Sequence, residues 1–290
     1  LHQFEISNNS KLQTIGKDVF IGTLINSITI PSKLIDLKEG WCNNTPYLNK
    51  IEVSPNNPRY CNFDEKMIIG KTNIDQNNYD CLIFCVRYIH HIKIPNFIKH
   101  ICSNSFDECQ LESIEIQSGS QLQTIDKSAF MKSTIESITI PSQLIDLKER
   151  WCYGTSKLKK IDVSPENKKY ICYEDKMIIG KTNIDQSNFD CLVFCVRNVE
   201  HIKIPDFIEH ICSCSFNYCK QLQQIDISYD SKLQTIDEFA FGNSAIKSII
   251  IPPSVTLIGK CAFSDCNQLK KIEISNNSKL QIIDEGAFCF

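Results

Sequence analysis

The chain has 290 residues, a net charge of −3 and 42% hydrophobic residues. So even a charge balance offers no electrostatic basis for binding nucleic acid or an anionic membrane surface, and no run approaches the roughly 18 consecutive apolar residues that a membrane span requires. Sixteen cysteines spread through a long chain with ample Ile and Leu do not make a compact disulfide scaffold.

The chain opens on "LHQFEIS", with no initiator Met and no signal-peptide pattern, and closes on "EGAFCF" inside a repeat. This reads as a piece of a longer protein. Between the two ends, short I-x-I units begin at Phe4, Ile28, Ile51, Ile92, Ile114, Ile138, Ile161, Ile202, Ile225, Ile249 and Ile272. Most intervals are 22–24 residues and two are 41. Self-similarity at such a period is the mark of a stacked-repeat architecture, in which each unit buries its apolar edge against the next.

The first long interval contains "KMIIGKTNIDQ" at Lys66–Gln76, repeated without change at Lys176–Gln186. Its "GKT" is not a phosphate-binding loop. That motif needs a glycine five residues before its Gly-Lys, and Glu65 and Asp175 stand there instead. The apolar runs Met67–Ile69 and Cys81–Val86, separated by a polar, turn-rich stretch, predict a β-hairpin. Insertions are expected at about 55–87 and 165–197, each either a local plug over the long interval or a second contact surface. A longer period lies above the short one: Ile28–Cys109 matches Ile138–Cys219 at 55 of 82 positions without a gap, the sign of a duplicated four-repeat block.

The last full unit, "IIIPPSVTLIGKCAFSDCNQLKKIEI" from Ile249 to Ile274, is the clearest. Ile249 and Ile251 alternate as a strand does, Pro252 ends it, and Val255, Leu257 and Ile258 form a second extended piece. Ala262, Phe263 and Cys266 are spaced as on one short helical turn. The expected fold is an α/β, β-dominated solenoid in a single domain over 1–290. It has a parallel sheet of about eleven strands, short helical turns and two inserted hairpins.

"SITIPSQLIDL", "TIDKSAF", "HICSCSFNYCKQLQQIDI" and "LIGKCAFSDCNQLKKIEI" resemble the BspA-like, or Treponema pallidum-type, leucine-rich repeats over essentially the whole chain. "VSPNNPRYCNFDEKMIIGK" resembles that family's hairpin insertion, in which an Asn-rich turn precedes a Tyr. Trp41-Cys42 and Trp151-Cys152 replace the usual Ala-Phe, and Thr23, Ser133 and Ser244 sit near the usual Cys. The resemblance implies a cell-surface or extracellular protein of mucosal microbes or protist parasites that contacts host or neighbouring-cell proteins. The residues alone leave open a cytoplasmic scaffold, which many unpaired thiols would suit.

No constellation carries chemistry. There is no nucleophile elbow, and the carboxylates recur once per repeat, where a catalytic pair would be single. "HIC" at His100–Cys102 and His210–Cys212 offers too few ligands for zinc. No enzyme activity, cofactor or metal is expected. Cys109, Cys219 and Cys266 share one repeat phase and are expected as buried thiols. Cys81/Cys85 and Cys191/Cys195 each share a strand face at a spacing too long for a mutual disulfide. Cys61, Cys172 and Cys214 have no cysteine counterpart in the other block. The sequons at Asn8, Asn43 and Asn276 matter only for a secreted chain.

Two polar columns remain. The middle residues of the I-x-I units are mostly charged, and Lys, His or Gln often precede them. The candidate protein-binding face is Lys50, Glu52, His91, Lys93, Glu115, Lys160, Asp162, His201, Lys203, Asp226, Lys271 and Glu273. The competing reading is a solvated sheet face with cross-strand charge pairs. The expected partner is a protein, with no nucleic acid and no membrane insertion within the segment.

Overall fold

The computed structural model describes residues 1–289 and resolves into two compact units, Leu1–Ile135 with Asp146–Thr155, and Glu136–Ile145 with the chain from Ser156 onward. Each unit is a β-solenoid of stacked turns. In the first, Ser27–Ile30 pairs in parallel with Lys50–Val53, and His91–Ile94 with Ser113–Ile116. In the second, the parallel pairs are Ser137–Ile140 with Lys160–Val163, His201–Lys203 with Gln224–Asp226, and Ser248–Ile251 with Lys271–Ile274. Each expected I-x-I unit lies on one of these strands except Phe4, which forms an isolated bridge to Ile28. The register sets isoleucine on isoleucine: Ile28 faces Ile51, Ile92 faces Ile114, and Ile249 faces Ile272. Alternation then sends those side chains inward and the middle residue outward.

A second ladder of two-residue strands runs along another side of each turn. His100–Ile101, Thr124–Ile125 and Asp146–Leu147 form it in the first unit, and His210–Ile211, Thr235–Ile236, Leu257–Ile258 and Ile282–Ile283 in the second.

No helix occurs among the described residues, so the α/β expectation and its short helical turns are corrected to an all-β solenoid. The reason lies in where the backbone hydrogen bonds go. In 261–266, Phe263 N–H donates to Ala287 O at 2.8 Å, Cys261 to Glu285 O at 3.0 Å and Asp265 to Cys289 O at 2.9 Å. Every second donor therefore leaves its own segment for the neighbouring turn. Those between close three-residue turns, such as Ser264 N–H to Cys261 O at 3.0 Å. Cys261 and Asp265 take left-handed φ of 52° and 55° to allow this, which a continuous helix excludes.

The same phase supplies the core. Phe106 and Phe130 stack at 4.9 Å and Trp151 meets Phe130 edge-on at 6.0 Å. In the second unit Phe216, Phe241 and Phe263 stack at 4.9 and 5.0 Å. All three are fully buried, as are Cys109, Cys219 and Cys266. Trp41 and Trp151 fill the aromatic place, so their departure from Ala-Phe keeps the core packed.

The inserted segments join the second ladder. Tyr60–Phe63, Met67–Gly70 and Cys81–Cys85 form an antiparallel meander, and Cys81–Leu82 then pairs in parallel with His100–Ile101. Tyr170–Tyr173, Met177–Gly180 and Cys191–Cys195 repeat this in the second unit. The Asn before each Tyr anchors the entry. Asn57 donates to Pro31 O and Leu34 O at 2.8 Å each, and its Oδ1 accepts from Tyr60 N–H at 2.8 Å. Asn167 does the same with Pro141, Leu144 and Tyr170. The glycine of "GKT" has a packing reason: a Cβ on Gly70 would lie 2.9 Å from Ile83 and 3.1 Å from the Tyr60 ring.

Removing one ring from the stack leaves a cavity bounded by two others. Phe241→Ala is expected to destabilise by about 3–5 kcal/mol, and the outward Ile250→Thr by less than about 0.5 kcal/mol, both read as shifts in urea unfolding free energy.

Candidate charged face and the buried arginines

The middle residue of each I-x-I unit points away from the core, which within each unit places candidate face residues on neighbouring strands. Lys50 and Glu52 pair at 2.8 Å along one strand, Lys160 and Asp162 at 3.2 Å, and Lys271 and Glu273 at 2.5 Å. Lys93 and Glu115 pair at 2.7 Å across two strands. His91 bonds to Ser113 at 2.8 Å, and His201 reaches Asp226 at 2.7 Å. Lys203 stands opposite Asp226 in the strand register.

These side chains are well exposed, Lys50 at 71% and Glu115 at 64%, so each pair contributes little to stability, about 0–1 kcal/mol. The columns are thus both paired and open to solvent. A hollow of about 520 Å³ beside Ser27–Ile30, Lys50–Val53 and the Phe4 segment is bordered by Lys50, Glu52 and Thr29. Ile250 is the apolar exception among the middle residues and is 56% exposed.

Sequence reading missed the most unusual residues in the molecule, Arg87 and Arg197, which are 0% and 3% exposed. Each follows the inserted meander, whose last strand supplies the core ring, Phe84 lying 5.9 Å from Trp41. Arg87 takes the place that the buried Cys holds in a regular turn: its carbonyl accepts Gln110 N–H at 2.8 Å, as Cys109 O accepts Thr134 N–H at 3.0 Å. Its guanidinium lies 4.5 Å from the Phe84 ring centroid. It donates to Cys42 O at 3.3 Å on the turn before the insertion and to Ser105 O at 3.4 Å on the turn after it. It also contacts the sulfurs of Cys42 at 3.5 Å and Cys109 at 3.7 Å. Arg197 repeats the arrangement with Phe194 at 4.2 Å, Ser215 O at 2.8 Å and Cys219 Sγ at 3.5 Å. The available signal was identity of "FCVR" in the two blocks, an arginine kept inside an apolar run.

The buried guanidinium alters the thiols around it. Burial pushes Cys42 up to about 12. At Cys219 burial also raises the pKa, but the hydrogen bond with Cys195 and the Arg197 charge outweigh it and bring the thiol down to about 7. Cys109 is lowered in the same way by Cys85 and Arg87. Burial raises Asp107, and the Arg87 charge opposes that rise. Its Oδ2 accepts Asn44 N–H at 2.7 Å. Asn217 occupies the matching position of the second block. Among the described residues no group of three or more metal-ligating side chains converges.

A thiol whose folded pKa lies below its unfolded value stabilises the fold fully above the unfolded value, about 8.5, and loses that contribution as pH falls through the folded one. Between pH 6 and 8 Cys219 should therefore add on the order of 1 kcal/mol to the unfolding free energy, and Cys219→Ser should remove that gain; above about pH 8.5 the raised thiols, Cys42 and Cys195 among them, turn the slope downward. Arg87→Ala, which strips two carbonyls and Asp107 of their buried partner, should cost about 3–5 kcal/mol by urea denaturation.

Comparison with known proteins fits this geometry. The BspA type leucine rich repeat region matches in six copies over residues 1–65, 78–191 and 182–290. Among solved structures, a leucine-rich repeat protein from Eubacterium ventriosum is similar with TM-score 0.56 and 21% identity, over 98% of this chain and 66% of that one, just under two thirds of its length. A leucine rich cell surface protein from Faecalibacterium prausnitzii gives 0.56 and 16%, over 94% and 87%. The pneumococcal vaccine antigen PcpA gives 0.58 and 19%, over 94% and 72%. At these identities the likeness is one of fold. No curated protein sequence matches the chain.

Proposed function

Because the chain belongs to the BspA-type leucine-rich-repeat family, we propose that it is a non-catalytic protein-binding module, acting at the cell surface as an adhesin-like contact to host or neighbouring-cell proteins. The observation that carries this reading is the exposed charged face. Each unit carries its own such face, with Lys50, Glu52, His91, Lys93 and Glu115 on one and Lys160, Asp162, His201, Lys203, Asp226, Lys271 and Glu273 on the other. Solenoids present such repeating faces to partners, and rigid parallel strands hold these side chains at fixed spacing. Two proteins of similar fold, a cell surface protein and a vaccine antigen, support a surface location. A contact made by exposed charges is steered electrostatically and weakens with salt.

A second reading, an intracellular scaffold, draws on the thiols. Many of the sixteen cysteines lie buried in the core as thiols and not in disulfides, an arrangement at home in a reducing compartment.

Antibody labelling of intact against permeabilised source cells separates the two. Labelling of intact cells is expected, and labelling only after permeabilisation would overturn the surface reading. For a partner captured on the surface, raising salt from about 0.05 to 0.5 M should weaken binding at least about tenfold, and Lys93→Glu should lower the association rate. Salt-independent binding would remove this face as the contact.

A further inference from the structure

Beside the first insertion lies an open hollow that the charged face does not use. It measures about 840 Å³ and lies wholly within the first unit. Cys61, Phe63 and Ile69 of the meander form its floor. Residues 76–80 arch along one side, and Phe97 and Lys99 of the following turn form the other. We propose that this hollow binds the end of a neutral oligosaccharide.

The floor and walls suit the apolar faces of sugar rings. Phe63 and Phe97 meet edge-on at 5.8 Å and are half-buried, and Tyr79, whose ring centroid lies 5.5 Å from Lys71 Nζ, also lines the hollow. Carbohydrate rings present C–H faces that pack on aromatic surface, and pockets of this size and lining are the usual small-ligand sites.

The rim carries the complementary chemistry. Asn77, Asn78 and Gln121 are exposed there, and each amide offers both donors and acceptors. A sugar hydroxyl also does both, so a row of amides matches a row of hydroxyls.

Charge among the lining residues themselves is balanced. Lys99 supplies one cation and Asp80 one carboxylate. Burial raises Asp80, but hydrogen bonds from Thr72, Gln76 and Cys81 outweigh it and hold the group below the usual carboxylate range. A neutral ligand fits this balance better than an acidic one. A peptide fits less well, because Met67–Gly70 in the floor is hydrogen-bonded to strands on both sides. It offers no open ladder for an extended chain to join.

The arch is shaped in advance. Thr72 N–H and Oγ1 donate to Asp80 at 2.9 and 2.7 Å, and Gln76 Nε2 donates to Asp80 at 2.7 Å and to Asn78 O at 2.8 Å. A loop already held this way loses little entropy on binding. Thr182, Gln186 and Asp190 keep the same framework in the second block, with Thr182 donating twice to Asp190 and Gln186 to Asn188 O. The lining differs there: Ile171, Tyr173, Ser187, Phe189 and Glu209 stand for Cys61, Phe63, Asn77, Tyr79 and Lys99. Thr72, Gln76 and Asp80, which hold the arch, are kept in both blocks, as are Ile69, Asn78 and Phe97 of the lining, while the five positions just named vary.

The test is calorimetric titration of the whole chain with lactose, N,N′-diacetylchitobiose and 3′-sialyllactose, alongside an unglycosylated peptide library on beads. Saturable binding of at least one neutral disaccharide below about 10 mM is expected. The double variant Asn77→Ala, Asn78→Ala should weaken it at least about tenfold with an unchanged melting temperature, since both side chains are exposed. Lys99→Glu, which copies the second block, should leave neutral-sugar binding within about twofold. Four results would overturn the proposal: no saturable sugar binding, binding of sialyllactose alone, equal binding by the double variant, or peptide binding in this hollow without sugar binding.

Discussion

Everything in this protein hangs on backbone hydrogen bonds that pass from one turn to the next. Phe106 N–H reaches Ala129 O at 2.8 Å, and Phe216 N–H reaches Ala240 O at 2.7 Å. These bonds satisfy buried donors that a single turn leaves open. They also impose one spacing on every phase of the repeat. Strands lie about 4.7–4.9 Å apart, and the phenylalanine rings repeat at 4.9 and 5.0 Å. One constraint therefore explains the isoleucine ladder, the aromatic stack and the missing helix.

The insertions test that constraint, because each breaks the regular turn. Where the meander replaces a turn segment, the neighbouring turns would face carbonyls with no partner between them. Arg87 and Arg197 supply the donors, and Phe84 and Phe194 supply rings beneath them. A guanidinium suits this task because it carries five donors in a flat fork. Its charge is a cost in a buried place, moderated by polarisable sulfur nearby and, in the first unit, by Asp107. The depressed thiols at Cys109 and Cys219 follow from this local repair and need no catalytic role.

The outer surface obeys a different rule. Alternation along the strands puts one set of residues in the core, where shape decides, and the other in solvent, where pairs such as Lys93–Glu115 add little to stability. The face is therefore free to change residue by residue without harming the fold. Ile250 among charged neighbours, and Asp226 facing Lys203, are choices that stacking does not dictate. The arch of the first insertion shows the same division, with Asp80 and its donors holding the shape while the side chains of Asn77 and Asn78 remain outside it.

Periodicity alone determined the stacked architecture, the strand phase, the inward isoleucines and the positions of the two insertions, because apolar residues at intervals of 22–24 can be buried in only one way. Spacing also excluded a phosphate loop at "GKT". Alternation placed Lys50, Glu52, Lys93 and Glu115 on one exposed face. What spacing could not reveal was the course of the backbone between strands. Ala262, Phe263 and Cys266 have helical spacing, yet their donors point to the next turn, and only the presence of that turn decides it. Buried Arg87 was equally hidden, since an arginine reads as surface until the carbonyls of Cys42 and Ser105 are brought to it from 45 residues before and 18 after. Local pattern fixes what each side chain prefers; long-range stacking supplies the partners that settle where it goes.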